Sequence, residues 1–211
     1  MFIYMLSNIN LEDNKDDIFT KKYNWFKAMP YSRKKNIKKL YYYNPEDEEK
    51  CNKIIKLFPN LRFVKTNFIK NRLIANYVTT YDLIIVNNLR EDMTRDFIIE
   101  QVQNLTENGK LWLFCNKFDE LNIIIEDIED KFDLKLEKFK NKYINIKKVL
   151  DDLSTNYFET KIEYSYDVHK ELYKFITKRY LSLESKLKIK SYLESTFTNK
   201  LTLTESVFML G

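Results

Sequence analysis

Few side chains in this sequence could do chemistry alone. His169 is the only histidine, and an imidazole can act as a base. It lies in a helix-forming stretch beside Lys170 and Glu171, where an exposed or hydrogen-bonded ring is the plainer reading. Cys51 and Cys115 form no CxxC pair and sit in apolar settings. They read as buried thiols of a reducing compartment. One histidine and no cysteine pair give no thiolate or histidine zinc cluster. No catalytic acid, base, nucleophile or metal ligand is assigned.

Four asparagines fall where a ligand or a backbone cap could use them. Asn87 and Asn88 follow the most apolar strand at its carboxyl end, where ligands of open α/β sheets gather. Capping of a loop is the plainer alternative. Asn44 fits the N-cap of a helix whose first position is Pro45. Asn67 reads as a turn residue. Trp25, Phe26 and Tyr31 either pack as the core of a first helix or line a lid. Arg33, Lys34, Lys35, Lys38 and Lys39 form the densest basic run. It reads as a solvated loop and helix end, with a nucleic-acid or acidic-partner contact second.

The elements that must position these residues follow from apolar periodicity. Phe2 to Leu6 reads as a short buried strand and Ser7 to Asp17 as a loop. Ile18 to Met29 reads as a helix with Phe19, Tyr23 and Phe26 on one stripe, ended by Pro30. Strand Lys39 to Tyr43 leads into a helix carrying Cys51, Ile54, Ile55 and Phe58, then strand Leu61 to Val64. Asp82 to Val86 is consecutive and apolar, as a strand covered on both faces must be. Helix Glu91 to Leu105, with Met93, Phe97, Ile98, Val102 and Leu105 inward, leads through a turn at Asn108-Gly109 to strand Lys110 to Cys115. Helix Phe118 to Phe132 follows. The tail reads as extended at Leu134 to Phe139 and helical at Ile144 to Leu153. Phe158 to Tyr164 alternates as a strand. Val168 to Leu181 and Lys186 to Phe197 read as helices, and Leu201 to Leu210 as a closing strand.

Strand-helix alternation at this spacing gives an α/β fold, with a mostly parallel central sheet and helices on both faces. The 211 residues suffice for one substantial core. With no linker rich in Pro, Gly or Ser, residues 1–211 read as one domain. Within it, 1–37 are a degenerate N-terminal segment, 38–133 the alternating core, and 134–211 the C-terminal strands with a helical insertion. Apolar types at 44% and charged types at 32% exclude a disordered chain. The net charge of +5 is spread among interleaved acids and bases. MFIYML is too short for a membrane span or signal core, so a cytoplasmic address is expected.

The order of elements resembles the class I S-adenosylmethionine-dependent methyltransferases. LYYYNPED (40–47) resembles the family's second strand and turn, FVKTNF (63–68) the third, YDLIIVNNL (81–89) the fourth and NGKLWLF (108–114) the fifth. The stretch KYINIKKVLDDLSTNYFETKIEY, then HKELYKFI, SYL and LTLTESVFML, is similar to the end of histamine N-methyltransferase-like proteins. There a short helical insertion precedes the last strand. The resemblance implies a Rossmann-like methyltransferase fold.

The departures carry the functional expectation. The family opens its sheet with a strand and a Gly-rich loop that lets backbone approach the methionine part of the cofactor. This chain has two glycines, Gly109 and Gly211, and neither can serve there. Its first strand is either Phe2 to Leu6, with a crowded loop after it, or degenerate or missing. Asn44 stands where the family places a ribose-binding acid, and Asn67 where an acid contacts adenine. An amide has one acceptor oxygen and no charge. A non-catalytic methyltransferase-like protein, lacking the cofactor and acting through a protein partner or self-association, is therefore expected. The alternative is an active S-adenosylmethionine-dependent enzyme on a small amine, with Trp25, Tyr31 and Phe68 as aromatic walls and Asn44, Asn67, Asn87 and Asn88 against the cofactor.

Overall fold

The computed structural model describes residues 12–43, 45, 47–66, 80–87, 95–139, 143–153, 156–178 and 181–211. The elements in chain order are α1 (Glu12–Ala28), α2 (Tyr31–Lys34), β1 (Lys39–Tyr43), α3 (Glu48–Ile55), β2 (Phe63–Thr66), β3 (Tyr81–Val86), α4 (Arg95–Gln103), β4 (Leu105–Asn116), α5 (Asp119–Phe132), α6 (Tyr143–Asp152), β5 (Tyr157–Asp167), a π-helical turn (Val168–Leu172), α7 (Tyr173–Ile176), α8 (Leu183–Thr196) and β6 (Lys200–Leu210). The six strands form one sheet in the order β2-β1-β3-β4-β6-β5. The pairs β1–β2, β1–β3 and β3–β4 are parallel, and β4–β6 is antiparallel. This is the Rossmann-like, mostly parallel sheet expected.

Two compact units divide the chain. One comprises residues 1–20, 118–140 and 163–203, and the other residues 21–117, 141–162 and 204–211. In the second unit the pleat of the sheet sorts side chains onto two faces. Ile84, Val86, Leu111, Leu113, Cys115, Phe208 and Leu210 cluster on one face with Ile98 of α4 and Ile146 and Leu150 of α6. Tyr41 shares this cluster, and burial, reinforced by Tyr43, Tyr81 and Glu100, pushes its phenol up to about 12. On the opposite face, Phe26 of α1 meets Trp112, Phe114 and Phe58 at centroid distances of 5.8, 5.7 and 6.4 Å. Helices thus cover both faces.

In the first unit, Leu121, Ile125 and Ile128 of α5 pack with Leu172, Ile176, Ile189 and Leu193. Phe139 stacks between Phe118 and Phe175 at 4.8 and 4.0 Å.

Several boundaries differ from the sequence expectation, each for a local reason. Residues 12–17 belong to α1 and not to a loop. The N-cap of α3 is Asp47, whose carboxylate accepts from the Lys50 N–H at 2.7 Å, so the helix starts at Glu48 and not at Pro45. β2 begins at Phe63, two residues after the expected Leu61. α4 ends at Gln103, Val102 is exposed and Leu105 already belongs to β4. The expected turn at Asn108-Gly109 falls within the span of β4, where the register jumps from Tyr81↔Leu105 to Leu83↔Lys110 and loops out three residues. Gly109 is required there. A Cβ on it would lie 2.8 Å from the Tyr81 carbonyl oxygen and 2.9 Å from that of Thr106.

Leu134 to Phe139 forms no strand, because side chains of α5 take its backbone groups. Leu136 N–H donates to Glu129 at 2.6 Å, and Phe139 exchanges two 2.7 Å bonds with Asn122. The single helix expected from Val168 to Leu181 is a π-helical turn followed by one turn of α-helix. β5 runs on to Asp167, past the expected end at Tyr164.

Glu129 supplies a pH prediction. The Leu136 N–H holds its carboxyl below the ordinary 4.5, and Lys138 adds to the effect from 3.3 Å. A depressed folded value means that this stabilisation is full above the unfolded value and is lost as pH falls through the folded one. Glu129→Gln is therefore expected to lose less stability than the wild type between pH 4.5 and lower pH, measured by urea unfolding across that range.

Candidate functional site

The carboxyl ends of the parallel strands are where an open α/β sheet binds its ligands. Three residues of the second unit converge there. Asn87 directly follows β3, and its N–H continues the ladder to the Tyr43 carbonyl at 3.0 Å. Phe114 lies near the end of β4, one position beyond the Val86↔Leu113 pair. Glu205 enters from antiparallel β6 and pairs with Asn116. By pleat and register, Asn87, Phe114 and Glu205 share the face that carries Trp112.

Lys22 of α1 reaches this corner. Its Nζ lies 2.5 Å from Asn87 Oδ1, 3.2 Å from Glu205 Oε1 and 4.8 Å from the Phe114 ring centroid. Lys22 is 1% exposed, and Asn87 and Glu205 are fully buried. The local reason is helical spacing. Phe19, Lys22 and Phe26 stand at i, i+3 and i+7 on the buried stripe of α1. The helix cannot bury its two phenylalanines without burying the lysine. An ammonium in such a place needs acceptors and a counter-ion, since desolvating an unpaired charge costs several kcal/mol per ion. Asn87, Glu205 and the Phe114 face provide them. The sequence reading assigned Asn87 but not Lys22 or Glu205.

Trp25 packs edge-on against Trp112 and Phe114 at 5.5 and 5.8 Å, the core alternative for this residue. Tyr31 is 66% exposed in α2. Arg33, Lys35 and Lys38 are exposed, and Lys34 and Lys39 are half-buried. These five residues precede or open β1, at the opposite end of the sheet from Asn87. Lys34 Nζ donates to the Lys27 carbonyl at 3.0 Å. The backbone N–H groups of Lys38 and Lys39 donate to Asp82 at 2.9 and 3.0 Å, a structural role for that carboxylate. His169 Nε2 donates to the Phe197 carbonyl at 2.9 Å, the hydrogen-bonded reading of this ring. Asn44, Asn67, Phe68, Asn88 and the stretch Phe2 to Leu6 lie outside the described residues. Among the described residues, no group of histidine, cysteine and acidic side chains could hold a metal ion. Cys51 and Cys115 are buried and form no disulfide.

The centre of the sheet bears on the cofactor question. In the doubly wound order 3-2-1-4-5-6, the first strand lies between the second and the fourth. The strands that resemble the second and fourth are β1 and β3. They pair directly with each other, from Leu40↔Leu83 to Tyr43↔Val86, and leave no slot between them. Among the described residues, no strand lies between them. Beside the β1–β3 pair, Asn87 is already engaged by a lysine.

No family model matches the sequence, and no curated protein matches it. Solved structures similar to the chain include a putative methyltransferase from Bacillus halodurans, 11% identical over 89% of this chain and 95% of that one, with a TM-score of 0.46. The plantazolicin methyltransferase BpumL in complex with SAH is 11% identical over 96% of this chain and 89% of that one, with a TM-score of 0.47. A SAM-dependent methyltransferase from Archaeoglobus fulgidus is 11% identical over 99% of each chain, with a TM-score of 0.46.

Proposed function

We propose that this chain is a non-catalytic methyltransferase-like protein that acts by binding a protein partner, with regulation of an active subunit as one form of that role. The observation that carries the reading is Lys22, whose buried ammonium takes the Asn87 acceptor at the carboxyl end of β3. Direct pairing of β1 with β3 supports it, as does the scarcity of glycine. A methyl transfer needs the donor aligned in line with its acceptor, and a scaffold without a donor has to act through its surface. Leu183 and Leu187, one turn apart on α8, are 74% and 58% exposed and offer apolar surface to a partner. Among the described residues no helix is long and apolar enough to cross a membrane. A cytoplasmic address belongs to the same proposal.

Calorimetric titration with S-adenosylmethionine and S-adenosylhomocysteine tests the reading. The expected result is no saturable heat at millimolar nucleoside. Stoichiometric binding at micromolar strength overturns it and favours an active enzyme on a small amine.

A further inference from the structure

The corner around Lys22 has the composition of a receptor as well as that of a core. A carboxylate, an amide oxygen and an aromatic face, all buried, converge on one nitrogen. Each attracts a cation by a different means: Coulomb attraction, hydrogen-bond acceptance and the negative face of the ring quadrupole. The two oxygens are side-chain acceptors, one just past β3 and one on β6, held by the sheet and not by the helix that brings the nitrogen. We propose that Glu205, Asn87 and Phe114 form an ammonium-binding cage that the chain fills with its own Lys22, and that the cage takes small primary alkylammonium ions.

The geometry selects the ligand class. The 2.5 Å approach to Asn87 Oδ1 is a hydrogen bond and requires N–H, which a quaternary ammonium lacks. A hard metal cation asks for six or more oxygens, and a phenyl face supplies none. A primary ammonium has three N–H donors and suits one carboxylate, one amide oxygen and a ring. Lys22 delivers that group on a four-carbon stem from α1.

Lys22→Ala removes three carbons and the nitrogen, the atoms of n-propylammonium. At saturating n-propylammonium, Lys22→Ala is expected to gain about 5–10 °C in Tm, the shift typical of a ligand bound only by the folded state. Tetramethylammonium and sodium at the same ionic strength should give no such gain, nor should n-propylammonium added to Lys22→Ala/Glu205→Gln. Equal shifts with all three cations, or an equal shift in the double variant, overturn the cage. If Lys22→Ala does not fold alone, it is refolded with each cation. Recovery with n-propylammonium only supports the cage, and recovery with none or with all overturns it. The inference does not depend on the non-catalytic reading. Nucleoside titration of the unaltered chain tests that reading, so either can fail while the other stands.

Discussion

Lys22→Met is expected to cost about 3–5 kcal/mol, the range for breaking a buried ion pair from one side. Methionine nearly matches the lysine stem in volume, so packing changes little. What remains is Glu205, fully buried, without the ammonium now 3.2 Å away. Asn87 loses its 2.5 Å donor at the same time. For a chain of this length the loss corresponds to about 6–20 °C in Tm, and urea unfolding measures it directly. Lys22→Met/Glu205→Leu should recover most of it, because an apolar pair of similar volume replaces a buried ion pair at little or no cost. A loss below about 1 kcal/mol for the single variant would mark the pair as a solvated one.

Phe26→Ala carries the second large effect, about 3–5 kcal/mol. The ring is fully buried and meets Trp25 at 5.1 Å, with Trp112 and Phe114 at 5.8 and 5.7 Å. Its removal leaves a cavity between helix and sheet that rigid strands cannot collapse to fill. Tyr31→Ala, only five residues on, should stay within about 0.5 kcal/mol because its ring is exposed. If α1 were a lid over an open site, Phe26→Ala would cost no more than Tyr31→Ala. Denaturant midpoints of the two variants decide between these cases.

The central strands were readable because consecutive apolar strings such as Leu83-Ile84-Ile85-Val86 allow little besides a strand covered on both faces. Helix starts were harder. Asn44-Pro45 and Asp47 both carry cap chemistry, and only the backbone geometry shows that Asp47 takes the Lys50 N–H. The segment Leu134 to Phe139 reads as extended, and Glu129 and Asn122 take the backbone groups of Leu136 and Phe139 that a neighbouring strand would otherwise pair with. The candidate site was half visible. Asn87 was legible from its place after a buried strand. Lys22 and Glu205 were hidden because a charge in an interleaved chain reads as solvated. The signal was present in both. Lys22 interrupts the Phe19–Phe26 stripe, and Glu205 stands two positions from Leu203 and from Val207 on a strand face where both are buried. A cation and an acid, each flanked by buried apolar residues of its own element, are natural partners, since burying a charge calls for a counter-ion.

The absent slot between β1 and β3 could not be read from the sequence, because strand adjacency is a tertiary fact. The central claim combines it with Lys22: the described corner at the carboxyl end of β3 is filled by the chain's own lysine. A crystal structure determined in saturating S-adenosylhomocysteine tests that claim most directly. The result expected is Lys22 Nζ between Asn87 and Glu205, β1 paired with β3, and no nucleoside density at that corner. A nucleoside seated over the ends of β1 and β3, with the lysine swung aside, would contradict it.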